Sequence, residues 1–122
     1  MDLIPIARDT VMEHIPEMVF VVDAHDRLLD ANAMAQKWLG KTMKEIVGQD
    51  PIDVFKPWPQ LLNRFFLTEH TREEIEVPGK PPQTLELVVT PIFNERKALE
   101  GRVIVAYDVT ERKLLENKLR AV

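Results

Sequence analysis

Two β-prone runs stand near the start of this chain and three near its end, and the stretch between them is broken by glycine and proline too often for a long helix. Met18 to Val22 is almost unbroken in β-prone residues, Ala24-His25-Asp26-Arg27 reads as a turn, and Leu28 and Leu29 resume the apolar pattern. The later group comprises Arg72 to Val77, Thr84 to Phe93 and Arg102 to Asp108, separated by Pro78-Gly79-Lys80-Pro81-Pro82 and by residues 94–101. Strands in such close succession pair antiparallel, so this group predicts a meander. The expected architecture is α+β, a five-stranded antiparallel sheet with short helices on one face and a flanking helix at each end.

Local signals place the helices. Asn32 can cap a segment containing Ala33, Ala35, Trp38 and Leu39 that stops at Gly40. Thr42-Met43-Lys44-Glu45 has capping-box spacing and opens a short turn of helix ending at Gly48. Residues 50–59 carry three prolines and read mostly as turns. From Trp58 to Leu67, the spacing of Leu61, Leu62, Phe65 and Phe66 predicts one half-buried helix. A leading helix is expected from Arg8 to Ile15, with Asp9 as its cap, Val11, Met12 and Ile15 as its apolar stripe and Pro16 as its stop. Asp108-Val109-Thr110-Glu111 again has capping-box spacing and predicts a terminal helix. The expected organisation is a flanking helix over 1–15, a core over 16–108 and the start of an outgoing helix over 109–122.

Composition excludes several kinds of chemistry. At 122 residues the chain suits one domain with one core. Its formal charge of -4, with 16 basic residues interleaved among acids, offers no basic stripe for nucleic acid. Cysteine and serine are both absent, which removes disulfides, thiolate metal ligands and the usual nucleophiles. His14, His25 and His70 share no ligand spacing and read as surface or turn histidines, so no metal site is expected. Glu73 with Glu74, and Asp23 with Asp26, read as solvated pairs rather than acid-base catalysts. The four glycines form no phosphate cradle. No catalytic residue is assigned. No apolar run is long enough to span a bilayer and no signal-peptide pattern opens the chain, so no direct membrane contact is expected.

Asp30-Ala31-Asn32-Ala33-Met34-Ala35, followed by Trp38-Leu39-Gly40 and Glu45-Ile46-Val47-Gly48, resembles the first half of a PAS domain. Tyr107-Asp108-Val109-Thr110-Glu111-Arg112-Lys113 looks like the motif that closes many PAS domains and starts the helix to an output domain. The opening Pro5-Ile6-Ala7-Arg8-Asp9, leading to Val19-Phe20-Val21-Val22-Asp23, looks like modules that follow a membrane region in sensor histidine kinases and diguanylate cyclases. The resemblance implies a cytoplasmic sensory, signal-relay and dimerisation domain of a longer, membrane-anchored signalling protein, foremost a histidine kinase of a two-component system. It implies a homodimer and an output domain in the same chain as partners, with no enzyme activity in this piece itself. Asn32 and Gly40 would then bound the helix after the second strand, and Asp108, Thr110 and Glu111 would form the signal junction. The missing cysteine disfavours flavin-thiol and coumarate chromophores. The absence of histidine from Pro59 to Leu67 disfavours haem.

An apolar set of Phe20, Val22, Met34, Trp38, Leu39, Ile46, Val54, Phe55, Leu61, Leu62, Phe65, Leu87 and Val89 converges on the space between sheet and helices. A small apolar ligand would be lined there by Phe20, Val22, Met34, Trp38, Leu39, Phe55, Leu62, Phe65, Leu87 and Val89. A packed interior without cofactor is the favoured alternative, since so short a chain needs these residues to fold. Leu115, Leu119 and Val122 have coiled-coil spacing and, with Val11, Met12 and Ile15, are the expected dimer surface.

Overall fold

The computed structural model describes residues 15–121. Strands β1 (Met18–Asp23) and β2 (Leu28–Ala31) lead into helices α1 (Ala33–Leu39), α2 (Met43–Ile46), α3 (Pro51–Val54) and α4 (Pro59–Leu62), the last continuing as a 3-10 turn over Asn63–Phe66. Strands β3 (Thr71–Val77), β4 (Gln83–Phe93) and β5 (Leu99–Asp108) follow, and helix α5 (Thr110–Arg120) closes the chain. The five strands form one sheet in the order β2-β1-β5-β4-β3, antiparallel throughout. This is the α+β arrangement expected, with the meander as its second half. The expected leading helix, with Val11, Met12 and His14, lies outside the described residues, as does Val122. Ile15 is described, and it is half-buried in irregular backbone ahead of β1 rather than helical.

Alternation along the strands builds the two faces of the sheet. Met18, Phe20, Val22, Ile75, Val77, Leu85, Leu87, Val89, Ile104 and Ala106 are buried in one cluster with Ala35, Leu39, Ile46, Val54, Phe55, Leu61 and Phe65 from the helical layer. Phe20 meets Phe55 and Phe65 edge-on, with ring centroids 5.3 and 5.5 Å away, so aromatic contacts join the sheet to the helices.

Caps explain where the short helices start and stop. Asn32 is buried, and its side-chain oxygen accepts from the amides of Ala35 and Val19, both at 3.0 Å, while its amide nitrogen donates to the Glu17 carbonyl at 2.8 Å. One side chain thereby starts α1 and ties it to β1. Gly40 ends α1 in the left-handed region, at φ 68°. Glu45 accepts from the Thr42 amide and hydroxyl, both at 3.1 Å, as the capping-box spacing predicts.

Residues 50–59 correct the sequence reading. They contain the helical turn α3, because Pro51 occupies its first position and Asp50 caps it, accepting from the Ile52 amide at 2.9 Å. Pro59 likewise opens α4. Proline at a first helical position costs no hydrogen bond and presets φ, so these prolines start helices rather than prevent them. The expected single helix over Trp58–Leu67 is instead one α turn tightened into a 3-10 turn.

Arg102 is the buried charged side chain among the described residues. Its Nε donates to the Leu67 carbonyl at 2.5 Å and its Nη1 to Asp26 at 2.6 Å, so β5, the β1–β2 turn and the end of the helical layer are joined at one edge of the core. At the adjacent Gly101, a Cβ would land on the backbone carbonyl of Val22.

Candidate functional site

The space between sheet and helices is nearly filled. A cavity of about 10 Å³ remains, lined by Met18, Phe20, Trp38, Phe55, Leu61, Phe65, Leu85, Leu87, Ile104 and Ala106. That is the threshold for one water molecule. Of the residues expected to line a ligand pocket, Phe20, Trp38, Phe55, Phe65 and Leu87 surround this cavity. Val22, Leu39 and Val89 are buried in the core around it, and Leu62 packs against that core half-buried. Met34 is a correction: it is 40% exposed. Ala35 and Leu39 form the buried stripe of α1, and Met34 lies about 100° round the helix from Ala35. Met18, Leu85, Ile104 and Ala106 were missed, although each stands two residues from another buried strand residue, a period-2 signal visible in the sequence.

On the other side of Trp38 lies an open groove of about 400 Å³, lined by Pro16, Glu17, Met18, Met34, Lys37, Trp38, Gln83, Ala106 and Asp108. The Trp38 ring borders both spaces and stacks at 4.5 Å on Trp58. From its indole a line of hydrogen bonds runs to the end of the sheet. Trp38 Nε1 donates to Gln83 Oε1 at 3.0 Å, and Gln83 Nε2 donates to Asp108 Oδ2 at 3.1 Å. Asp108 Oδ1 accepts from the Thr110 amide at 3.0 Å and the Thr110 hydroxyl at 2.5 Å. Thr110 Oγ1 in turn accepts from the Thr84 amide at 2.9 Å, while the Val109 amide donates to the Thr84 carbonyl at 2.9 Å. Helix α1, strands β4 and β5 and helix α5 therefore meet at one polar junction. Gln83, its central link, went unnoticed because a lone glutamine beside a proline turn carries no sequence signal.

Two forces act on the Asp108 carboxyl. Burial pushes its pKa up, but the hydrogen bonds from the Thr110 hydroxyl and amide and from Gln83 together outweigh it and hold the carboxyl below its ordinary value. The capping box expected here is corrected: α5 begins at Thr110 with Val109 in the cap position, so Glu111 is the second helical residue, exposed, and out of register for a reciprocal bond. Asp108 instead captures the amide two residues on, in the manner of an Asx turn.

The remaining candidates have structural roles or stand in solvent. Asp23 accepts from the amides of His25 and Arg27 and shapes the β1–β2 turn. Glu73 pairs with Arg64 at 2.8 Å. His25 and His70 are exposed. Among the described residues no group of three or more metal-ligating side chains gathers, and no helix is long and apolar enough to cross a membrane. Leu115 and Leu119, the expected dimer residues of α5, are 55% and 77% exposed.

Known proteins agree with this architecture. The cyclic di-GMP phosphodiesterase PdeB of Shewanella oneidensis is 24% identical over 115 residues, which cover 89% of this chain and 13% of that protein. The chain thus spans a small part of the curated relative it matches. The PAS domain of Bordetella pertussis BvgS superposes with a TM-score of 0.68 at 21% identity, covering 98% of this chain and 96% of that one. A sensory box sensor histidine kinase from Vibrio cholerae gives a TM-score of 0.65 at 16% identity, covering 87% and 91%. The family described as the PAS fold matches residues 12–114. With its five-stranded sheet, its row of short helices and its closing Asp-Val-Thr junction, the chain belongs to the PAS fold family, whose domains serve as sensory modules of signalling proteins.

Proposed function

We propose that this chain is the signal-relay and dimerisation module of a multidomain signalling protein, foremost a sensor histidine kinase. It passes a change in the sheet and α1 through the Asp108–Thr110 junction to α5 and an output domain beyond. The observation that carries this reading is the continuous polar line from Trp38 through Gln83 and Asp108 to Thr110. The cavity of about 10 Å³ behind it, too small for an organic ligand, favours relay over small-molecule sensing. The exposed Leu115 and Leu119 favour a homodimer through α5, since an exposed leucine seam is stabilised by a second helix. The module acts on the cytoplasmic side of a membrane-anchored parent, and the same part suits a diguanylate cyclase.

A second reading has one observation in its favour. The groove beside Trp38, with Lys37, Glu17 and Asp108 at its walls, is large enough for a small amphipathic ligand that would act on the same junction. Native mass spectrometry separates the two. The relay module is expected as a dimer without added mass, reduced to a monomer by Leu119→Glu. A reproducible non-covalent adduct overturns the ligand-free reading, and a wild-type monomer overturns the dimer.

A further inference from the structure

Helix α5 has no fully buried residue, and Leu114, which shares a groove with Val77, Pro78 and Pro81, is still 58% exposed, so apolar packing directs the helix only weakly. A helix of this length is marginal alone in water, and polar ties must direct it. The Thr110 junction holds only its start. Immediately beyond, Arg112 Nη2 lies 3.5 Å from Glu74 and 3.7 Å from Glu86, and Lys113 Nζ lies 2.9 Å from Glu74.

The acids that receive these cations are arranged against each other. Glu74 of β3 and Glu86 of β4 are direct cross-strand partners, on the sheet face opposite the one that carries Ile75, Leu85 and Leu87. Like charges directly opposed in a sheet repel, and the Glu86 side chain is only 13% exposed, which limits relief by water. Arg72 pairs with Glu86 at 2.5 Å, one cation for two carboxylates. Arg112 and Lys113 complete the neutralisation only while α5 is docked. Both also lie near Glu116 of their own helix, at 3.8 and 3.4 Å, and so keep a partner when the helix lifts.

We propose that Glu74 and Glu86 are an ionic latch for α5. With Arg112 and Lys113 seated, the leucine face of the helix is held at one angle to the sheet; with the latch open, the helix pivots about Thr110. The latch rests on the relay reading and names its regulation. Exposed ion pairs are individually weak and screened by salt, so a modest push opens it.

The cysteine-free chain allows the test directly. Nitroxides are placed at Ala33→Cys on α1 and Asn117→Cys on α5, both exposed, and the labelled protein is diluted into unlabelled protein so that distances between subunits drop out. Pulsed electron resonance is expected to give one narrow distance at about 0.1 M salt that broadens at about 1 M, where the Debye length falls from about 10 Å to about 3 Å. Glu74→Lys broadens it already at low salt, and adding Lys113→Glu restores the narrow distribution. The milder Glu86→Gln lowers the salt concentration at which broadening begins. A distribution indifferent to salt and to Glu74→Lys overturns the latch. The relay reading fails separately, if Gln83→Ala, which cuts the polar line from Trp38 to Asp108, leaves these distances unchanged while Glu74→Lys still broadens them.

Discussion

Replacing Asp108 with alanine removes a carboxylate that accepts from the Thr110 amide, the Thr110 hydroxyl and the Gln83 side chain. The bond to the Thr110 amide satisfies the first free N–H of α5 from just outside the cap position, and losing such a bond costs about 0.5–2 kcal/mol, the range found for caps. The Gln83 bond adds the lower end of a net hydrogen bond, about 0.5 kcal/mol, because water reaches this site and replaces it. The expected loss is about 1–2.5 kcal/mol, which at a urea slope of about 2 kcal/mol per M lowers the unfolding midpoint by about 0.5–1.3 M. The folded carboxyl titrates below its unfolded counterpart, whose ordinary value is about 3.9. Its contribution is therefore complete above the unfolded value and disappears as pH falls through the lowered folded value. Urea titrations of both proteins at neutral pH and at several acidic pH values check this, with the gap closing in acid. A loss below about 0.5 kcal/mol, or one that persists unchanged in acid, refutes the assignment of Asp108 as an ionised anchor of α5.

Other positions offer independent checks. Gly101→Ala would drive a Cβ onto the Val22 carbonyl between the central strands, and calorimetry should find it destabilised by about 1–3 kcal/mol. Arg102→Ala leaves the Leu67 carbonyl without its donor and Asp26 without its cation, and chemical denaturation should register a loss of about 2–3 kcal/mol. Lys97 sits at φ 64° in the β4–β5 turn, so Lys97→Gly should raise stability by about 0.5–1 kcal/mol; a decrease would mean that the lysine is not strained there.

Boundaries were legible wherever a local signal is strong. Asn32, Gly40 and Thr42 mark helix ends through backbone geometry that each residue type favours by itself, and the structure keeps all three marks. The prolines misled because the same residue breaks a helix in its interior and starts one at its first position, and position within an unseen helix is not a local property. Met34 misled for a related reason: only the neighbours of α1 decide which of its sides is inward.

The sequence by itself determined the order of elements and the antiparallel sheet, because strand periodicity, caps and turn residues act over a few positions, and its motifs at residues 30–48 and 107–113 carried the resemblance to the family. It also marked Asp108 and Thr110 as the boundary between β5 and α5. Only the tertiary structure decided what the junction touches: Trp38 and Gln83 are 45 residues apart, and Gln83 and Asp108 are 25 apart. It likewise turned Glu74 and Glu86 from scattered surface acids into opposed partners facing the cations of α5. Charges and hydrogen bonds act over a few ångströms of space, and strand register, which comes from the whole sheet, sets which distant residues share that space.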